Sequence, residues 1–245
     1  MISRKPLSDQ PSVRSPWFWV PSLYFAQGIP YVAVMIVSVL MYKRLGVSNT
    51  DIALYTSWLN LPWVIKPFWS PFVDLLKTKR WWVVTMQLLI GAGLAGVAFT
   101  IPTTFFFQAS LAVFWLLAFS SATHDIAADG FYMLALDSHE QAFFVGIRST
   151  FYRIAIIAGQ GVLVMFAGFL ENNTGNIPLA WSITFFILGG LFLGLFLYHR
   201  YILPLPEGDK PSVTVTPSTI VKEFFATFVS FFKKKQAFVA ILFML

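Results

Sequence analysis

The chain has 245 residues, of which 57% are hydrophobic and only 11% charged. A soluble domain carries roughly 25% charged residues, so this balance excludes a water-soluble globular protein. The net charge of +6 would suggest nucleic acid in a soluble protein, but here the basic residues fall between long apolar runs, as in the loops of a membrane protein, and no nucleic-acid partner is expected.

The apolar runs are unbroken rather than alternating, which predicts an all-α membrane protein and not a barrel. With no cysteine in the chain, disulfides and thiolate metal sites are ruled out. Residues 1–16 are polar, carry Arg4, Lys5 and Arg14, and are not followed by a small-residue cleavage site. They read as a cytoplasmic tail before a first span over 17–42. In that span Tyr24, Gln27 and Tyr31 share one helical face, and Pro30 should loosen the helix.

A second span is expected over 51–73, with Asn60, Pro62, Lys66 and Pro67 inside it. Lys66 lies in the tryptophan- and proline-rich run LPWVIKPFWSPFVD, which ends on Asp74. Hydrocarbon does not solvate a lysine at that depth, so Lys66 needs a partner, a water-filled cavity or an aqueous edge. A basic turn with Lys77, Lys79 and Arg80 follows. It is either an orientation anchor or, with Asp74 and Arg148, a charged clasp between helix ends.

The third span, 81–101, has small residues at Gly91, Gly93, Ala95 and Gly96 that permit close helix contact. The fourth, 105–128, starts apolar and ends polar at His124, Asp125 and Asp129, and its helix can continue to Leu136. Asp125 and Asp129 are four residues apart, so their carboxylates share a face. Two carboxylates in a low dielectric resist being ionised together unless a cation joins them. Arg153, in the fifth span over 144–170, is the first candidate partner and Lys66 the second. Gln160 is a further polar residue of that span. The sixth span covers 179–201.

A polar, proline-rich linker follows. Ile220, Phe224, Phe228 and Phe232 then recur every fourth residue before three lysines, which predicts a helix lying on the membrane surface. The organisation expected is therefore a tail (1–16), a six-helix membrane domain (17–201), a cytoplasmic linker with its surface helix (202–235) and the start of a seventh span (236–245). That last stretch is too short to cross a bilayer, which needs roughly 20 residues. With the N-terminus inside, Arg4, Lys5, Arg14, Lys77, Lys79, Arg80, Arg148, Arg200, Lys210, Lys222 and Lys233 to Lys235 all fall on the cytoplasmic side, out of 17 basic residues in the chain. No phosphate-binding loop, zinc motif or nucleophile elbow occurs, so neither a cofactor nor an enzyme is expected. Intramembrane charges usually serve function, and a secondary transporter fits them best.

Six spans, a long linker and the start of a seventh resemble the N-terminal half of a twelve-span major facilitator transporter. Four segments carry a narrower resemblance: YFAQGIPY (24–31), KPFWSPFVD (66–74), HDIAADGF (124–131) and FYRIA (151–155). They are similar to the AmpG muropeptide permease family, in the peptide and acetyl-CoA transporter group of that superfamily. The family often has glutamine where this chain has His124. The resemblance implies proton-driven import of cell-wall-derived muropeptides across the bacterial inner membrane. In it, Asp125 or Asp129 with His124 would carry the coupled proton. Lys66 and Arg153 would be charge partners or substrate contacts, and Tyr24, Gln27 and Tyr31 would meet a sugar. The missing C-terminal half would complete the site. The alternatives are another organic anion, such as acetyl-CoA or a peptide, and a non-transporting sensor or scaffold on the same fold.

Overall fold

The computed structural model describes residues 15–210 and Val229. The polar tail, the surface helix expected over 219–232 and the seventh-span start otherwise lie outside the described residues. Among those residues every regular element is helical.

The first span begins at Pro16–Phe18, continues as α1 (Val20–Val32), passes through a wider turn at Ala33–Val37 and ends as α2 (Ser38–Arg44). The helix does depart from regular α geometry near Pro30, in that π-helical turn, which begins three residues past the proline. Gly46, at φ 84°, closes this span.

Four more segments are long and apolar enough to cross a membrane: α6 (Lys79–Thr100), α7 (Phe106–Ala135), the fifth span Ser138–Thr174 and α10 (Ile177–Ile202). The fifth is built from α8 (Ser138–Ala158), a second π-helical turn at Gly159–Leu163, and α9 (Val164–Thr174). Their starts are written in local sequence. Thr78 accepts the Trp81 N–H, Asn176 accepts the Leu179 N–H, and Asp137 with Glu140 forms a capping box.

The second span is where expectation and structure part. Instead of one helix over 51–73, the chain forms three short helices, α3 (Asn49–Thr56), α4 (Leu61–Ile65) and α5 (Ser70–Leu76). Tight 3-10 turns at Ser57–Asn60 and Lys66–Phe68 join them. Pro62, Pro67 and Pro71 each remove a backbone donor, and each sits at the start of a new segment. Backbone broken in this way is tolerated at membrane depth only where protein or water covers it. The break leaves Lys66 at a segment junction rather than in the middle of a helix.

The helices pack in two linked groups. In one, α6 lies against α10 and α7; Gly189 approaches the Gly91 carbonyl so closely that a Cβ would stand 3.0 Å from it. In the other, α1 lies against α8 and α7. There a Cβ on Gly28 would stand 2.7 Å from that of Ala155, so the glycine fixes how near the two backbones come. At the opposite end from the N-terminus, buried Glu171 accepts from Arg44 (Nε to Oε2, 2.9 Å) and from the Trp181 indole (2.7 Å). That group joins α2, α9 and α10.

Candidate functional site

A cavity of about 370 Å³ opens between α1, α7 and α8, lined by Tyr24, Gln27, Asp129, Arg148, Ser149, Tyr152 and Arg153. Helical spacing explains the membership. Tyr24 and Gln27 lie on one face of α1, and Arg148, Ser149, Tyr152 and Arg153 on one face of α8.

The outer part of the cavity is an ion pair with an aromatic collar. Arg148 stands 3.5 Å from Asp129 and donates to the Tyr24 hydroxyl at 3.0 Å, and that hydroxyl donates to Asp129 at 3.0 Å. The guanidinium also lies over the rings of Tyr24 and Tyr132, 5.0 and 5.1 Å from their centroids. The pair is partly exposed, so solvent weakens it.

Deeper, one turn along α7, Asp125 is buried and faces Lys66 at 4.0 Å. Asp125 lies ten residues from the C-terminal end of its helix, a depth of about 15 Å along the axis. Its side chain is 10% exposed and that of Lys66 38%, so the lysine provides the aqueous edge of the pair. Gln27 and Trp63 approach the same carboxyl group. The Asp125 Oδ1 and the Gln27 Oε1 are buried with no hydrogen-bond partner among the described residues. Tyr152 is close to both Asp125 and Tyr31, and Tyr31 packs edge-on against Trp63 at 5.2 Å.

Some expected residues fall elsewhere. Arg153, the first candidate partner for the aspartates, lines the cavity but is exposed and forms no ion pair among the described residues. Lys66 takes that place beside Asp125 because the 3-10 turn at Lys66–Phe68 carries its ammonium inward, and Arg148 takes it beside Asp129. Asn60 and Gln160 do not line the cavity; Gln160 is exposed on the second π-helical turn. In the expected clasp, Asp74 pairs with Lys79 rather than with Lys77 or Arg80. Arg80 instead donates to the Leu203 and Arg200 carbonyls at the end of α10, and the Lys77 ammonium stands 6.0 Å from the Trp81 ring.

His124 does not face the cavity. It is fully buried and joined through its Nε2 to the Gln87 amide nitrogen at 3.1 Å. The other end of that amide meets His199 Nδ1 at 2.9 Å, and His199 Nε2 meets the Ser22 hydroxyl at 2.9 Å. This string crosses α7, α6, α10 and α1. Gln87 and His199 were missed in the sequence, although each is a polar residue within an apolar run. Ser22 gave no comparable signal.

Residues 25–245 match the BT1 family. A protein of Rickettsia conorii named as an AmpG transporter is 27% identical over 88% of this chain and 52% of its own length. The anhydromuropeptide permease of Escherichia coli strain K12 is 24% identical over 90% of this chain and 43% of its own. An uncharacterized membrane protein of Saccharomyces cerevisiae is 28% identical over 80% of this chain and 40% of its own. The chain thus spans about half the length of the curated relatives it matches. With its five apolar spans and its match over most of its length, this all-α chain belongs to the BT1 family, whose fold is of the major facilitator type.

Proposed function

We propose that the chain forms the N-terminal half of a secondary transporter that imports anhydro-disaccharides, with or without peptide, released from the bacterial cell wall. The observation that carries this reading is the gathering of two tyrosines, a glutamine and two arginines around one cavity, with the half-exposed Lys66 and buried Asp125 paired nearby. Tyrosine rings suit sugar faces, and guanidinium groups suit lactyl and peptide carboxylates. The relative named for anhydromuropeptide transport supplies the cargo.

In this reading the N-terminus is cytoplasmic and the protein lies in the inner membrane. Asp125 exchanges a proton with Lys66 as its counter-charge, and the Asp129–Arg148 pair acts as the outer latch. Alternating access requires a second half across the cavity. The exposed polar face of α8, with Ser149, Arg153 and the nearby Gln160, is where that half would close. The cavity has two arginines against one aspartate, which also favours other organic anions, acetyl-CoA or a peptide among them.

The test is uptake of radiolabelled anhydro-muropeptide by the full-length protein in proteoliposomes, with and without an imposed pH gradient. Accumulation that follows the gradient and is lost in Asp125→Asn supports cargo and coupling together. Folded protein that does not accumulate the label excludes the cell-wall cargo. Transport by Asp125→Asn at the wild-type rate removes the coupling role.

A further inference from the structure

On another side of the bundle a groove of about 520 Å³ runs between α6 and α10, and it shares no lining residue with the cavity. One end lies where α6 begins and α10 finishes, the level at which hydrocarbon gives way to headgroups. Arg80 and Arg200 line this end. The walls leading away from it are mainly apolar, with Val84, Leu88 and Phe196 beside Thr85.

Among the described residues that line the groove, two arginines stand against one acid. Arg80 is held by donating to the last carbonyls of α10. Asp209, the one acid lining the groove, accepts from the backbone N–H groups of Lys79 (2.6 Å) and Arg80 (3.0 Å), so both its oxygens are engaged at the start of α6. The Arg200 side chain is exposed and makes no hydrogen bond or ion pair among the described residues. Lys77, beside the exposed Trp81 ring, adds a further cation at the rim. A surplus of positive charge above an apolar trough fits a ligand with a negative head and a hydrocarbon tail, not a soluble anion.

We propose that this groove is a binding site for one anionic phospholipid. Its phosphodiester lies between Arg200 and Arg80, and one acyl chain lies along Val84, Leu88 and Phe196. Tryptophan at position 81 is placed at the interface that its ring prefers. The bound lipid bridges the ends of α6 and α10, where the Arg80 contacts already draw them together.

The full-length protein, purified in a mild detergent, is examined by native mass spectrometry and thermal unfolding with phosphatidylglycerol, phosphatidylcholine or inorganic phosphate added. The expected result is retention of one phosphatidylglycerol and a melting temperature that phosphatidylglycerol raises more than phosphatidylcholine does. Arg200→Gln should weaken retention about fivefold, the effect of one basic residue at an anionic headgroup. Leu88→Trp keeps the charges and blocks the trough, and should also weaken it. Equal retention of the two lipids overturns the proposal, as does unchanged retention in both variants. A shift produced equally by inorganic phosphate marks a plain anion site and also overturns it.

Discussion

At the scale of single residues, the Lys66–Asp125 pair decides most of the energetics of the site. Removing the lysine leaves a buried carboxylate facing an empty place, whereas removing both charges need not. Lys66→Met should therefore lower the melting temperature of the full-length protein by several degrees, and Lys66→Met with Asp125→Asn should recover part of the loss. The lysine is partly exposed, so the cost belongs nearer ~2 kcal/mol than the upper range for buried pairs. A double variant as unstable as Lys66→Met alone would show that the two charges are not coupled. The sequence exposed both members of this pair, because an ion in an apolar run is conspicuous. It did not expose the pairing. The short turn joining spans four and five favoured Arg153, and the choice of Lys66 depends on a 3-10 turn whose direction no local pattern states. Glu171 gave less warning still, since it looks like one polar residue in a polar turn. Glu171→Ala should cost about 2 kcal/mol, because the Trp181 indole would lose its acceptor inside the protein. Thermal unfolding in detergent measures it.

At the scale of elements, the apolar runs set the ends of α6 and α10 within about two residues, whereas the fifth span begins at Ser138, ahead of the expected 144. The small residues of α6 do lie in close helix contact, Gly91 against Gly189 and Gly93 against Leu117. The second span was harder to read. Its hydropathy suggests a crossing helix, and only the positions of Pro62, Pro67 and Pro71 reveal three pieces. The reason is physical: each proline sits near the start of a segment, where it is tolerated, so none of them marks the whole stretch as non-helical. Packing between elements is testable at Gly28. Gly28→Ala pushes a methyl group into Ala155 and the Tyr152 carbonyl, 2.7 and 2.9 Å away. It should destabilise the protein by about 1–3 kcal/mol and widen the α1–α8 contact that shapes the cavity. Gly168→Ala, with open space around it, should leave stability unchanged or slightly raised. Equal effects of the two, compared by melting temperature and by uptake, would mean that the α1–α8 approach is not tight.

For the whole molecule, exposed side chains sort the surface into two kinds. Along α6 and α10, short of the charged end at Arg200, they are apolar, among them Phe99, Phe186, Ile187 and Leu193, and suit hydrocarbon. Along α8 exposed Phe143, Val145, Ile154 and Ile157 are joined by Ser149, Thr150 and Arg153, which do not. The chain contains no cysteine, so an introduced thiol reports on its own position. In inverted membrane vesicles, which turn the cytoplasmic side outward, Ser149→Cys should react with a membrane-impermeant maleimide, and Phe186→Cys should not; labelling of both alike would break the division. One consequence follows from the buried string of His124, Gln87, His199 and Ser22. A carboxamide has one donating and one accepting end, so it dictates a tautomer to each imidazole it touches. With its oxygen toward His199, that ring carries hydrogen on Nδ1 and His124 must carry its own on Nδ1, an atom without a partner among the described residues. Turning the amide over reverses both rings at once. The four helices thus share a single binary setting, stored in the orientation of one amide plane. Nitrogen chemical shifts of the two histidines should change together or not at all.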